Sequence, residues 1–340
     1  MSLPLASGAL ASGALASAAL SSGAPVSGAL SRVVPELAAD QTAADETAAE
    51  QMTSDQLCAD QSLVAQLLAF VRAHSPLCVL TGAGLSVASG IPAYRDAAGS
   101  WQRPAPVQAA DFLRSARSRR RYWLRSLHGW PAFAAARPNS GHFSLVTLAA
   151  QGVVASVITQ NVDGLHQTAG SQGVVDLHGC LNTVRCLDCA AIYHRADIQS
   201  LLANLNVGML AMPAVQLADG DASLLAESDE LLDAVRVPEC GLCGGILKPT
   251  VVFFGDSIAP AVWHAADHRL AATRGLLVIG SSLSVYSGMR MCRRAHAAQL
   301  PIAALNRGWT RGDALLQLKL DAEAAPLLTA MIAALGEGRP

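Results

Sequence analysis

The sequence predicts an α/β protein: a doubly wound, parallel, Rossmann-like sheet with a smaller inserted zinc-binding module and a helical module. The first observation is an apolar run at 77–80 that ends in a glycine turn, which is the opening unit of a doubly wound sheet. The second is a series of short apolar runs at 154–159, 276–279 and 302–305. Such continuous runs are expected of parallel strands that are covered on both faces.

The chain is predicted to have one folded domain, over residues 54–335. Apolar residues recur at helical spacing between Asp55 and His74, which predicts a helix before the first strand. Residues 1–53 are rich in Ala, Gly and Ser and repeat a Ser-Gly-Ala-Leu unit up to Leu30. They have no pattern that would bury a face, so we predict a disordered low-complexity segment there.

The composition narrows the class of protein. A formal net charge of -2 over 340 residues gives no general attraction to nucleic acid or to anionic membranes. No stretch approaches the roughly 20 unbroken apolar residues of a transmembrane helix. The first 31 residues carry no charge, so they lack the basic start of a secretory signal. The expectation is a cytoplasmic protein.

Four of the eight cysteines form two C-x-x-C pairs, Cys186 with Cys189 and Cys240 with Cys243. In a reducing compartment this spacing favours metal binding over disulfides. Four thiolates complete a tetrahedral zinc site with no open position, which indicates a structural ion. An iron–sulfur cluster and unmetallated redox thiols are the alternatives. Both pairs fall between the strands at 154–159 and 276–279, so the metal module, about 180–250, is an insertion in the sheet.

The turn after the first strand contains Gly82, Ala83 and Gly84. Glycines there allow backbone N–H groups to approach a pyrophosphate. The usual dinucleotide fingerprint is not met, because its third glycine would fall at Val87 and no acidic ribose ligand follows about 20 residues later. A tight structural turn therefore stays an alternative.

Polar residues follow other predicted strands. Gln160, Asn161 and Asp163 come directly after the run at 154–159, and His178 lies just after another short apolar run. Strand ends of this kind face the ligand crevice, where a histidine can act as a general base because its pKa is close to neutral. The alternatives are a polar loop that caps a helix and a structural histidine.

Two later strand ends complete a candidate nucleotide site. Gly280, Ser281 and Ser282 offer small donors for phosphate and ribose, and the segment 306–308 ends the next strand in a similar way. Each is weak evidence alone, since Gly, Ser and Asn commonly form turns.

Together, and in this order along the chain, these segments resemble the sirtuin family over about residues 79–328. The resemblance implies NAD and one structural zinc ion as cofactors, His178 with Asn161 as catalytic residues, and Cys186, Cys189, Cys240 and Cys243 as the zinc ligands. The NAD-binding residues that it implies are Gly82, Ala83, Gly84, Ser86, Ile91, Pro92, Tyr94, Arg95, Trp101, Gln160, Asn161, Val162, Asp163, Gly280, Ser281, Ser282, Asn306, Arg307, Gly308 and Ala324.

The resemblance also implies a peptide-binding strand at 251–256, with Val252, Phe253, Phe254 and Gly255 in contact with the substrate through main-chain bonds. Details such as Arg121-Tyr122-Trp123 and His178-Gly179-Cys180 resemble the class II branch, which holds bacterial members and a mitochondrial relative. The loop after Trp101 has Arg103 but no tyrosine. No Tyr-x-x-Arg pair placed for a succinyl carboxylate is therefore expected.

The implied activity is NAD-dependent deacylation of protein lysines, which yields free lysine, nicotinamide and O-acyl-ADP-ribose. In it His178 takes a proton from a ribose hydroxyl. The alternatives are a protein mono-ADP-ribosyltransferase that uses the same pocket and a non-catalytic NAD-sensing module. The expected partners are acyl-lysine proteins, with no nucleic acid and no membrane, and the chain is expected to be a monomer.

Overall fold

The computed structural model describes residues 61–94, 106–224 and 227–337. The chain divides into two units, Met1–Thr53 and Ser54–Pro340, and all of the described residues belong to the second. The disordered segment predicted over residues 1–53 lies outside the described residues. None of the helices in the described ranges is long and apolar enough to cross a membrane.

Eleven strands occur in the described part of the chain. In chain order they are β1 (Leu77–Thr81), β2 (Val154–Thr159), β3 (Val175–Asp176), β4 (Gly179–Cys186), β5 (Ile192–His194), β6 (Ala214–Gln216), β7 (Ala222–Leu224), β8 (Leu247–Val251), β9 (Gly275–Ile279), β10 (Ile302–Leu305) and β11 (Leu318–Leu320).

The helices between them are α1 (61–74), α2 (Ala83–Ser86), α3 (Ala109–Arg114), α4 (Ala116–Ala135), α5 (Ser140–Ala150), α6 (Leu165–Ala169), α7 (Arg195–Leu205), α8 (Asp229–Ala234), α9 (Pro260–Ala271), α10 (Tyr286–Ala297) and α11 (Ala324–Glu337). The helix expected from Asp55 is thus described from residue 61 onwards.

The main sheet has six strands in the order β11-β10-β9-β1-β2-β3, and all of its pairings are parallel. The chain builds outward from β1 to β3 and then returns to β9 on the other side of β1. The strand order therefore reverses between β1 and β9, as in the Rossmann fold. The predicted doubly wound sheet is confirmed, and its four central strands fall on the predicted apolar runs.

Helices cover both faces of this sheet, which explains why its central strands are apolar at every position. On one face, side chains such as Val79 and Leu277 pack with residues of α1, α5 and α11. On the other face, Leu80 and Val278 pack with residues of α9 and α10. Strands β1 and β9 are buried along their whole length because alternate side chains enter opposite layers.

The inserted module is built on a second sheet with the antiparallel order β5-β4-β8. Its own apolar cluster includes Val184, Ile198 and Leu247 together with Trp123 of α4. A third element, the hairpin of β6 and β7, packs against α4 and leads into α8. Strand β4 is the longest strand of the insertion, and it begins directly after His178.

Strand β8 ends at Val251 and so covers only the first residue of the peptide-binding strand expected at 251–256, which stays a prediction. Two backbone contacts continue beyond that point. The Val252 N–H donates to the His178 carbonyl at 2.8 Å, and Phe254 forms an isolated parallel bridge with Gln108. The first bond keeps Val252 beside the residue that precedes β4, and the bridge places Phe254 beside the residues that precede α3.

Candidate active site and metal centre

A cleft of about 970 Å³ opens at the carboxyl ends of β1, β2, β9 and β10. This is where the strand order reverses, the usual ligand crevice of an open α/β sheet, and the volume lies within the range of small-molecule sites. The predicted residues that line it are Gly82, Ala83, Gly84, Tyr94, Gln160, Asn161, Val162, His178, Val252, Phe253, Phe254, Gly255, Gly280, Ser281, Ser282, Asn306, Arg307 and Ala324.

The floor of the cleft is made by two glycine turns in direct backbone contact. A Cβ atom on Gly84 would lie 2.8 Å from the Gly280 Cα, and one on Gly280 would lie 2.4 Å from the Leu85 nitrogen. Gly280 also has a left-handed φ of 61°. The turn after β1 therefore needs glycine in order to pack against the turn after β9. Helix α2, which follows Gly82, is only four residues long.

His178 is held by both of its ring nitrogens. Its Nδ1 lies 2.8 Å from the Gln160 carbonyl oxygen, which can only accept, so Nδ1 carries the proton. Its Nε2 lies 2.8 Å from the Ser287 hydroxyl and is therefore the nitrogen that accepts, from this hydroxyl. Burial lowers the pKa of His178, and the bond to Gln160 opposes that shift. The imidazole is a neutral base at neutral pH.

Asn161 is fixed by a chain of polar contacts behind the cleft wall. Its Nδ2 donates to the Gly82 carbonyl and lies 3.1 Å from the Ser86 hydroxyl. That hydroxyl donates to Asp163 at 2.7 Å, and the Leu165 N–H donates to the same carboxylate. Burial raises the pKa of Asp163. Ser86 and Asp163, both predicted as NAD contacts, thus lie behind Asn161 and do not line the cleft.

The two halves of the sheet are joined across the cleft by side chains. The Ser281 hydroxyl donates to Gln160 Oε1 at 2.6 Å, which links the ends of β9 and β2. At the far end, Arg307 forms an exposed ion pair with Glu323, so its charge is already balanced. The Gly308 N–H donates to Asp321.

The remaining predicted NAD contacts lie elsewhere. Ile91 is buried in an apolar cluster with Phe112 and Leu165. Neither Ile91 nor its neighbour Pro92 lines the cleft, and the same holds for Gly308. Arg95 and Trp101 lie outside the described residues.

A buried polar group with two histidines supports the cleft from below. His166 Nε2 lies 2.8 Å from the Thr81 hydroxyl, which itself donates to Thr159. The His142 ring lies 5.0 Å from that of His166. Burial lowers the pKa of His142 to about 4 and, together with the nearby His142, lowers that of His166 to about 3. Both rings are therefore neutral in the folded protein.

Several functional residues of the cleft were not predicted from the sequence. Ser287 lies 109 positions from His178 and belongs to no recognisable pattern. Tyr122 and Arg125 of α4 form a Tyr-x-x-Arg pair that lines the cleft, and the expectation that no such pair is placed for a succinyl carboxylate, which considered the loop after Trp101, stays a prediction. Arg125, however, is already bonded to Asp221, which no spacing in the sequence indicates.

The four predicted cysteines come together at the far end of β4. Their sulfur atoms all lie within 4.8 Å of one another, with Cys186 and Cys243 at 3.5 Å and Cys189 and Cys240 at 3.6 Å. Tetrahedral zinc with four bonds of about 2.3 Å places its sulfurs about 3.8 Å apart. The four thiols therefore fit a zinc ion, and the Tyr193 hydroxyl lies 3.0 Å from Cys240.

Comparisons with known proteins agree with this geometry. A family model described as the Sir2 family matches residues 82–287. An NAD-dependent protein deacetylase of Xanthomonas axonopodis pv. citri (strain 306) is 49% identical over 259 residues, 76% of this chain and 87% of the relative. A Bos taurus relative named NAD-dependent protein lipoamidase sirtuin-4, mitochondrial, is 43% identical, over 78% of this chain and 84% of its own length.

Solved structures show the same fold. One described as "Sir2-p53 peptide-NAD+" has a TM-score of 0.64 at 25% identity and covers 80% of this chain and 98% of its own. Another, described as "Structural Basis for the Mechanism and Regulation of Sir2 Enzymes", has a TM-score of 0.64 at 26% identity, over 82% and 100%. The chain belongs to the Sir2 family, the sirtuins.

Proposed function

We propose that this sirtuin is an NAD-dependent protein-lysine deacylase that releases nicotinamide and O-acyl-ADP-ribose. The observation that carries the proposal is the state of His178: a neutral imidazole on the wall of the cleft, with its Nδ1 held by the Gln160 carbonyl and its Nε2 lone pair paired only with a hydroxyl. The Xanthomonas relative is named an NAD-dependent protein deacetylase and the Bos taurus relative an NAD-dependent protein lipoamidase, and both names support the proposal.

The cleft suits NAD because it joins a glycine floor to polar walls. The backbone of 82–84 and the hydroxyls of Ser281 and Ser282 would hold the phosphates and a ribose, and Asn306 would hold the adenosine end. When bound, NAD supplies an electrophilic ribose carbon with nicotinamide as its leaving group. Asn161 would orient that ribose, since its side chain is itself fixed by Gly82 and Ser86.

His178 acts on a proton in this scheme. Nε2, which now accepts from the Ser287 hydroxyl, would accept the proton of a ribose hydroxyl, and the Gln160 carbonyl would hold the Nδ1 proton and stabilise the imidazolium. General-base assistance of this kind contributes about 10²–10⁴-fold. Val252 to Gly255, which line the cleft beside His178, would bind the peptide that carries the acyl-lysine.

The metal has a separate role. Cys186, Cys189, Cys240 and Cys243 would hold one zinc ion with all four positions filled by thiolate, so the ion has no open position for a substrate. It would stabilise the inserted module and thereby the register of β4.

The test is to incubate the protein with NAD and a histone-type peptide that carries one acetyl-lysine, and to weigh the products by mass spectrometry. The proposal predicts that the peptide loses its acetyl group and that a matching amount of O-acetyl-ADP-ribose forms. A peptide or protein that instead gains ADP-ribose would support the transferase, and no release of nicotinamide with any acyl-peptide would contradict the proposal.

The names of the relatives do not favour the transferase or the non-catalytic module. The cytoplasmic location and the monomeric state stay predictions.

A further inference from the structure

Helix α4 and the acidic stretch of the insertion are joined by a row of four ion pairs. Their members are Arg117 with Asp229, Arg120 with Asp233, Arg121 with Glu227 and Arg125 with Asp221. The first three have half-exposed arginines, whereas the Arg125 side chain is 8% exposed and that of Asp221 is 21% exposed. Only this last pair also lines the cleft, so one end of the row reaches the candidate active site.

The Arg125–Asp221 pair is tightly fixed. The Arg125 Nη2 donates a hydrogen bond to the Asp221 carboxylate at 2.7 Å, and the Arg125 Nε donates to the Ala222 carbonyl at 3.0 Å. The backbones are equally close, because a Cβ atom on Gly129 of α4 would lie 2.3 Å from the Asp221 carbonyl oxygen. The guanidinium therefore points at the hairpin of β6 and β7 and has two partners there.

The cleft wall beside this pair contains apolar and aromatic side chains. Leu181, two residues beyond Gly179 on β4, lines the cleft with Tyr122 and Phe253, whose rings lie 5.1 Å apart. Arg125 follows Tyr122 by almost one turn of α4. An acyl chain that contacts Tyr122 would approach Arg125 on the next turn of α4, a guanidinium whose charge is balanced by Asp221.

We propose that Asp221 is a specificity-determining residue: it holds Arg125 in an ion pair and thereby excludes acyl-lysines whose acyl chain ends in a carboxylate. This inference rests on the proposed deacylase function. A carboxylate on the acyl chain would have to displace Asp221 from Arg125 or lie beside it, and two carboxylates at one site repel each other. An uncharged chain of the same length meets no such obstacle.

The test compares a butyryl-lysine peptide with a succinyl-lysine peptide of the same sequence, because both acyl groups have four carbons and only one is charged. The wild-type protein is expected to have a kcat/KM for butyryl at least tenfold above that for succinyl. Asp221→Asn removes the competing charge and leaves Arg125 in place, so the ratio should shift toward succinyl by about tenfold or more, the typical value of one charged hydrogen bond.

The controls separate charge release from general damage. Asp233→Asn removes an outer pair of the same row and should leave the ratio at its wild-type value. The double variant Asp221→Asn with Arg125→Gln should lose the gain for succinyl, because the gain depends on the freed guanidinium. If Asp221→Asn does not melt cooperatively, Asp221→Ser replaces it.

Three results would overturn the inference: a wild-type protein that cleaves succinyl as well as butyryl, a folded Asp221 variant with an unchanged ratio, or an equal shift in Asp233→Asn. Failure of the deacylase proposal looks different, since then no peptide of either kind is turned over. In that case calorimetric affinities of the same two peptides for the same variants decide the question of Asp221.

Discussion

The two ends of strand β4 have opposite chemical character. At its start, His178 keeps one nitrogen lone pair on a cleft wall and depends on partners from other elements, Gln160 and Ser287. At its end, Cys186 joins three further cysteines that lie within 4.8 Å and would saturate one ion. A base whose accepting nitrogen lies on a cleft wall indicates a catalytic role. A metal site whose four positions are all filled by protein ligands indicates a structural role.

The largest effect is expected at the zinc end. Cys186→Ser removes one thiolate from a site whose zinc binding contributes roughly 10–16 kcal/mol of apparent free energy. The variant should retain far less than one zinc per chain and lose its cooperative melting, with activity lost as a consequence. Metal analysis by mass spectrometry and differential scanning calorimetry measure these effects.

Cys292→Ala is the matched control, because Cys292 is a buried cysteine of the main core outside the cluster. It should keep full zinc occupancy and lose only about 1 kcal/mol of stability. Equal losses in both variants would show that burial, and not metal ligation, explains the result.

The next effect concerns the histidines below the cleft. His142 and His166 stay neutral in the folded state down to about pH 4 and about pH 3, whereas the unfolded chain takes up a proton on each below about pH 6.5. The free energy of unfolding should therefore fall as the pH is lowered from about 6.5, by up to about 1.4 kcal/mol per pH unit for each ring. Urea titrations between pH 7.5 and pH 5 measure this slope.

The same titrations with His166→Phe show whether the slope comes from these histidines. Acid also protonates zinc-bound thiolates, so zinc content is measured at each pH. If the slope comes from the rings, the variant should lose about half of it at unchanged zinc content; a slope that only follows zinc release would contradict this assignment.

A smaller effect is expected where the hairpin of β6 and β7 meets α4. Gly129→Ala places a Cβ atom 2.3 Å from the backbone of Asp221, so the hairpin must shift, at a cost of about 1–3 kcal/mol. Gly208→Ala is the matched control because a Cβ there has no neighbour within 4 Å. Melting temperatures that do not differ between the two variants would contradict the close contact.

The smallest effect is expected at Ser287. Ser287→Ala removes the hydroxyl next to His178 Nε2 but not the base itself, so kcat/KM should fall by a factor of about ten or less. Because burial lowers the pKa of His178, the acid limb of the wild-type profile should lie below the ordinary histidine value. Ser200→Ala, at an exposed position of α7, should leave kcat/KM and the acid limb of the pH profile unchanged. A Ser287→Ala protein whose kcat/KM and pH profile equal those of wild type would argue against the contact.

The sequence predicted the sheet well because its strands are buried on both faces and therefore consist of unbroken apolar runs, as at 154–159 and 302–305. The metal site was equally easy to predict, because two C-x-x-C pairs are typical of a site with four thiolate ligands. Ser287, Asp221 and the ion-pair row could not be predicted. They depend on contacts between residues about a hundred positions apart, and no local spacing encodes them.

His178 is expected to provide chemistry and not stability. The decisive experiment measures turnover of an acetyl-lysine peptide by His178→Ala together with the zinc content and melting temperature of the variant. We expect His178→Ala to bind one zinc per chain, to melt close to the wild-type temperature and to turn over the peptide at least about 100-fold more slowly than wild type. A folded, zinc-replete His178→Ala protein that retains turnover within a few-fold of wild type would contradict it.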